Sequence, residues 1–233
     1  GIVSLVDVFK MAGAVWDKSK GFAVNPLFEI EIVSIDGKPV HYSRSFEIKP
    51  DKSISAVTTT DLILVPSSGY DIATLGPYPR EMTDWLAHHH NRGTRIAAGC
   101  TGVFLLAEAG ILDGKRATTH WGYVDLFRQR YPQILMSPDQ MITEDNTLFC
   151  AGGGSAGIDL CLYLIERYCG PKIANRCAKL LLLERGRYVQ PSFAGFHPLK
   201  NHQDTQIVKA QNWIENHSSH TFCIDDLASL VGM

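Results

Sequence analysis

The stretch Arg95-Ile96-Ala97-Ala98-Gly99-Cys100-Thr101-Gly102-Val103-Phe104-Leu105-Leu106-Ala107 most constrains what this chain can fold into. Ile96 to Ala98 is a brief, uncharged run after the turn signal Asn91-Arg92-Gly93, which predicts a buried parallel strand. Val103, Leu106 and Ala107 then recur at helical spacing. Small residues at 98, 99 and 102 flank Cys100. That is the layout of a strand-turn-helix elbow, where only minimal side chains let the backbone turn so tightly and present the central residue. A thiol at a helix start meets the positive end of the helix dipole, which favours thiolate. Cys100 is therefore a candidate nucleophile. The competing reading is a small buried hydrophobe, the usual fate of free cysteine.

The flanking segments read as alternating helices and strands. Residues 2 to 16 carry apolar positions at amphipathic-helix spacing, with no strand before them; an α/β sheet normally feeds its first helix from a strand, so an upstream strand outside this sequence is expected. Phe28 to Ile35 alternates as a strand, Asp36-Gly37 is a turn dipeptide, and Val40 to Ile48 suits a returning strand. Asp61 to Pro66 predicts a second buried parallel strand, with Ser67-Ser68-Gly69-Tyr70 as its exit loop. Arg80 to His90 and Gly122 to Tyr131 are helical, and Met141 to Thr143 and Leu148 to Ala151 form a strand pair around Asp145-Asn146. Gly152 to Gly157 opens the apolar helix from Ile158 to Tyr168. That run lacks the Lys-Ser/Thr ending of a P-loop and the dinucleotide spacing, so it is either a turn whose backbone approaches a ligand or a tight helix contact. Residues 1–185 are thus expected to form a three-layer α/β sandwich with a mainly parallel sheet.

The texture then changes. Ile173 to Leu183 is a further helix, apolar nearly all round at Leu180 to Leu183, and residues 186–204 read as a linker. Residues 205–233 read as the beginning of an all-α helix-turn-helix domain. One amphipathic helix carries Ile207, Val208, Trp213 and Ile214; a second, capped by Asp225 and ended by Gly232, turns Leu227, Ala228 and Val231 inward. The turn and recognition helix are expected to lie beyond Met233.

Composition removes several classes. With 233 residues, 45% hydrophobic, 20% charged and a net charge of -2, the chain suits an ordinary globular protein without a strongly basic surface. No apolar run approaches the roughly 18 residues of a membrane span, so no membrane partner is expected. The six cysteines form no Cys-x-x-Cys pair and read as reduced thiols of a cytoplasmic protein. No cofactor fingerprint is present. His88-His89-His90 makes no metal site, because adjacent helical residues point to different faces, and reads as a solvated helix end.

Gly99-Cys100-Thr101-Gly102 through Gly110-Ile111-Leu112-Asp113-Gly114, with Ala117-Thr118-Thr119-His120-Trp121, resembles the PfpI-like, class I glutamine-amidotransferase-like domain of the GlxA-like group of AraC-type transcription regulators. Gly157-Ile158-Asp159-Leu160 and the helix after it match as well. The tail from Trp213-Ile214 through Val231-Gly232-Met233 is similar to the start of the AraC-type DNA-binding domain. The resemblance implies a flavodoxin-like sensor, usually a homodimer, that binds a small nitrogenous effector near the cysteine and controls DNA binding by a C-terminal domain. It also implies a histidine directly after the nucleophile in peptidase-like members, where this chain has Thr101.

Two functions compete. A cysteine-dependent hydrolase or hydratase needs Cys100, a base and an oxyanion site. Backbone N–H groups at Gly69 and Thr101 are candidate oxyanion donors, and His120 is the best candidate for the base, with a structural hydrogen-bonding role as its competing reading. The same donors hold a ligand carboxylate, and an aromatic wall attracts an ammonium. A sensor would therefore bind its effector, an amino acid or quaternary amine, with Ser68, Gly69, Tyr70, Cys100, Thr101, His120, Trp121 and Gly154. The leading expectation is the DNA-binding regulator; the enzyme is the alternative, and a purely dimerising domain is the third reading.

Overall fold

The computed structural model describes residues 1–43, 46–69, 71–72, 76–183, 186, 189–190, 204–217 and 221–232. Contacts divide the chain into two compact units, Gly1–Phe193 and Ala194–Met233.

The first unit is built on the apolar runs. Leu62–Val65 lies parallel to Arg95–Gly99, with Leu62 opposite Arg95 and Val65 opposite Ala98. Arg95–Gly99 lies parallel to Leu148–Ala151, which pairs antiparallel with Ile142–Asp145. Because successive strand side chains point to opposite faces, the sheet feeds two cores. Ile63, Val65, Ile96, Ala98, Leu148 and Cys150 face one side, against Leu86 of helix Arg80–Asn91, the apolar face of helix Gly102–Glu108 and Phe127 of helix Val124–Arg130. Ala97, Phe149 and Ala151 face the other, against Val8 and Phe9 of helix Ile2–Met11, Leu160 and Leu164 of helix Ala156–Cys169, and Ala174 and Cys177 of helix Pro171–Leu180. The result is helix, sheet, helix: the expected three layers. Phe104 meets Phe127 edge to face at 4.9 Å, a geometry that adds about 0.5–1.5 kcal/mol to the area both rings bury.

Several local expectations change. The helix expected over residues 2 to 16 breaks into Ile2–Met11 and Val15–Ser19, because Gly13 sits at φ 75°, outside helical space, and its carbonyl accepts the Asn25 N–H. Asp36-Gly37 does turn, with Asp36 accepting the Lys38 N–H. It does not join a hairpin: Val33–Ser34 pairs parallel with Lys52–Ser53, while Val40–Ser43 pairs with Phe46–Ile48. The His88 to His90 run is not wholly solvated. His89 is buried, its ring edge-on to Trp85 at 4.7 Å, because the turn at Gly93 folds the chain back over that helix end. The last helix of the first unit stops at Leu180, and Leu182 is exposed.

The second unit contains helix Thr205–Asn216, capped by Asp204, and helix Ile224–Val231, ended by Gly232 in the left-handed conformation. The latter starts two residues earlier than the sequence suggested, so its capping carboxylate is Asp226, which accepts the Cys223 N–H, and not Asp225. That hydrogen bond holds the Asp226 carboxyl below its ordinary value. No helix among the described residues is long and apolar enough to cross a membrane.

Gly102 is where the elbow helix touches the neighbouring strand. A Cβ there would lie 2.3 Å from the Pro66 carbonyl oxygen and 2.9 Å from that of Val65. Gly102→Ala is expected to destabilise the fold by about 1–3 kcal/mol, the usual cost of overpacking a tight contact. A thermal midpoint equal to that of the parent would contradict the contact.

Candidate functional site

Cys100 follows the end of strand Arg95–Gly99, with its backbone at φ 56°. A side chain in this region costs roughly 1–2 kcal/mol, so the surroundings must hold it there. They do so from two directions. The Cys100 N–H donates to the carbonyls of Ala151 (3.0 Å) and Gly152 (3.1 Å), and its carbonyl accepts the Thr119 hydroxyl at 2.7 Å. The turn is thus tied to the end of the adjacent strand and to the loop before helix Val124–Arg130. Its left-handed backbone is the elbow expected from the small residues around it.

Thr101 secures the neighbouring loop. Its hydroxyl donates to the Gly69 carbonyl (2.9 Å), accepts the Ser68 N–H (3.0 Å), and pairs with the Ser67 hydroxyl at 2.8 Å. Thr101 is fully buried, so these bonds exhaust its capacity. Of the two expected oxyanion donors, the Gly69 N–H turns inward, reaching Ser67 Oγ at 3.4 Å. Ser68 further accepts the Tyr78 hydroxyl. At the position after the cysteine this chain thus holds a loop clamp.

A cavity of about 90 Å³ lies beside the thiol. Cys100, Gly152 and Gly154 line one side, Leu64, Pro66 and Ser67 another, and Leu5 and Ile158 help close it. No histidine, carboxylate or lysine lines it among the described residues. Of the residues singled out from sequence, Cys100 and Gly154 line the cavity, while Ser68, Gly69 and Thr101 form the clamped loop beside it. Tyr70 lies outside the described residues. His120 and Trp121 stack on each other at 5.1 Å, and neither lines the cavity. His120 Nδ1 accepts the Gly122 N–H at 3.0 Å, capping the short turn Trp121–Tyr123, and its ring packs against Gly153. Burial pushes the His120 imidazole below its ordinary value. Sequence reasoning missed Ser67, Leu64 and Thr119. The first two sit where the strand next to the elbow ends, a position readable from strand order; Thr119 lies in the 117–121 stretch that carried the resemblance, but nothing there tells that its hydroxyl reaches the Cys100 carbonyl.

The cysteines separate by environment. Burial pushes the thiols of Cys150 and Cys161 up to about 12 and that of Cys177 up to about 11, so they stay protonated at neutral pH. Cys100 opens on the cavity and Cys223 is exposed. Iodoacetamide at pH 7.5 is expected to label Cys223 and then Cys100 in the folded protein and to leave Cys150, Cys161 and Cys177 intact, as peptide mass spectrometry would show.

Burial lowers the imidazoles of His89 and His90 as well as that of His120. Each therefore takes a proton more readily in the unfolded chain, near pH 6.5, than in the fold. Stability is full above that pH and falls as the solution is acidified through it. The thermal midpoint is expected to drop between pH 7.5 and 5.5, with a shallower slope in His120→Asn; a flat profile would refute the sign.

The HTH-type transcriptional regulator CdhR of Pseudomonas aeruginosa is 30% identical over 181 residues, covering 78% of this chain and 50% of that protein. Isonitrile hydratase of Pseudomonas putida is 32% identical over 153 residues, covering 64% of each chain. The chain thus spans about half to two thirds of the length of these curated relatives. Among solved structures, an AraC family transcriptional regulator from Pseudomonas putida superposes with a TM-score of 0.64 at 22% identity, covering 77% of this chain and 91% of that one. The likeness to that structure establishes the flavodoxin-like α/β fold. Residues 19–167, the span from the end of the second helix through the elbow to the helix after the glycine run, match the family model directly, and the chain belongs to the DJ-1/PfpI family.

Proposed function

We propose that this chain is the sensing portion of a DNA-binding transcription regulator, in which the α/β unit binds a small nitrogenous metabolite beside Cys100. The observation that carries the reading is the cavity itself: a thiol on a held-open turn, bordered by glycine backbone and Ser67, with no histidine, carboxylate or lysine among its described lining residues. A nucleophile without a base lacks the partner that makes acyl or nitrile chemistry efficient. Binding needs no base. Backbone and hydroxyl groups suit a carboxylate or hydroxyl on the ligand, and the apolar walls of Leu5, Leu64 and Ile158 suit its carbon skeleton. The similarity to CdhR, named an HTH-type transcriptional regulator, supports the same reading, as does a second unit of two capped helices. We place the protein in the cytoplasm as a homodimer, with DNA contacts made by the longer protein.

A cysteine-dependent hydratase is the second reading, favoured by the similarity to isonitrile hydratase and by the nucleophile-elbow backbone of Cys100. Titration calorimetry with a panel of amino acids and quaternary ammonium compounds separates the two. The sensor reading expects saturable heat from at least one compound, and a shift in operator affinity of the longer regulator by about 5- to 150-fold, the usual range of allosteric coupling. Silence across the panel, with isonitrile hydration that disappears in Cys100→Ser, would select the enzyme.

A further inference from the structure

Gln190 lies far from Cys100 in sequence, yet it is built into the support of the cysteine turn. It is 3% exposed. Its Nε2 sits among four oxygens: Thr118 Oγ1 (2.9 Å), the Thr119 carbonyl (2.9 Å), the Gln140 carbonyl (3.0 Å) and the Pro138 carbonyl (3.1 Å). Three of the four are carbonyls, so the amide nitrogen, and not its oxygen, must face them. Its backbone N–H donates to the Asp139 carbonyl at 2.9 Å, and the preceding Val189 bridges Gln140.

Both routes from this side chain end at Cys100. Thr119, whose carbonyl Gln190 holds, donates its own hydroxyl to the Cys100 carbonyl. On the other side, the Gln190 amide packs on the Gly152 backbone, where an added Cβ would lie 2.4 Å from Gln190 Oε1. Gly152 accepts the Cys100 N–H and lines the cavity. One buried amide therefore touches the two segments that hold the cysteine backbone from opposite sides. Past Gln190 the sequence runs on into the second unit, which begins at Ala194.

We propose that Gln190 is a positioning residue for the Cys100 turn, and that the Val189–Gln190 segment is thereby the element that responds to what occupies the cysteine cavity. The response rests on the reading of this chain as a sensor; the positioning rests on the bonds alone. Coupling of this kind is reciprocal: whatever loosens the Gln190 socket must change the turn, and whatever changes the turn must alter the socket. Neither direction requires a known effector or DNA.

The experiment runs both ways on the chain as it stands. In Gln190→Ala, checked as folded by its circular dichroism and cooperative melting, the rate of iodoacetamide labelling at Cys100 is expected to rise about tenfold, since a buried hydrogen-bonded group of this kind contributes on the order of that factor. Labelling at Cys223 in the second unit should not change and serves as the internal control. A Cys100 rate within about twofold of the parent, well below the usual coupling range, overturns the positioning role. The parent protein is also measured by hydrogen exchange before and after alkylation of Cys100, with Cys100→Ser treated identically as control, so that a variant that does not fold still leaves a decisive result. Faster exchange in the peptide containing Val189 and Gln190 is expected, by about fivefold or more. Unchanged exchange there overturns the response. Failure of these arms leaves the calorimetric test of the sensor reading standing, and failure of that test leaves the Gln190 positioning measurable.

Discussion

The structure depends on keeping one non-glycine residue at φ 56°. Left alone, the Cys100 backbone would relax toward negative φ and the elbow would open, because the strain costs roughly as much as one good hydrogen bond returns. Three bonds to Cys100 oppose this, from Ala151, Gly152 and Thr119. They are available only if strand Leu148–Ala151 is in register beside strand Arg95–Gly99, with Ala151 opposite Gly99. Sheet register and site geometry are thus one constraint. A slip of one residue would turn every core side chain to the other face and would also remove the acceptors for the Cys100 N–H.

The same dependence explains what could be read from the sequence. The elbow was legible because its demands are local and chemical: small residues at 98, 99 and 102, a short apolar run before and helical spacing after. The sheet was legible because Leu62–Val65 and Leu148–Ala151 are continuous apolar runs, and buried parallel strands need little else. Short pairings were not legible. Nothing in Val33-Ser34 says that its partner is Lys52-Ser53, because two-residue strands carry no periodicity; a good turn dipeptide at Asp36-Gly37 pointed to the wrong neighbour. The break at Gly13 escaped notice because the apolar spacing continues across it. The burial of His89 is not legible either, because helical position alone does not reveal that the chain doubles back over the helix end.

At the site, the legible part was what sits in sequence beside the cysteine, and the illegible part was what reaches it from far away. Thr101 follows Cys100 directly, but its role depends on the 67–69 loop arriving within hydrogen-bond reach. That arrival is a consequence of parallel strand order: the loops leaving the carboxyl ends of adjacent strands lie side by side. Gln190 is more remote still. Its surroundings are four oxygens contributed by residues 118 to 140, and no pattern within any one of those segments announces a missing donor.

The polar groups beneath the cysteine bear on how firmly the turn is held. Thr118 and Thr119 are fully buried, and a buried hydroxyl without a partner is costly. Thr118 donates to the Gln140 carbonyl and accepts from Gln190, and Thr119 donates to Cys100, so both hydroxyls are satisfied. A satisfied polar network in a low-dielectric interior is rigid and has one good arrangement, whereas apolar packing tolerates many. Rigidity beneath the turn fixes where the thiol and the Gly152–Gly154 backbone stand, which is what a small ligand would sense. The network also commits its protons. Thr119 has given its hydrogen to Cys100, Thr101 has given its own to Gly69, and the His120 ring nitrogen that could accept one is occupied by Gly122. Around this thiol the Thr101 and Thr119 hydroxyls and the Nδ1 of His120 are thus spent on holding shape, and the backbone of the turn is fixed in place by them.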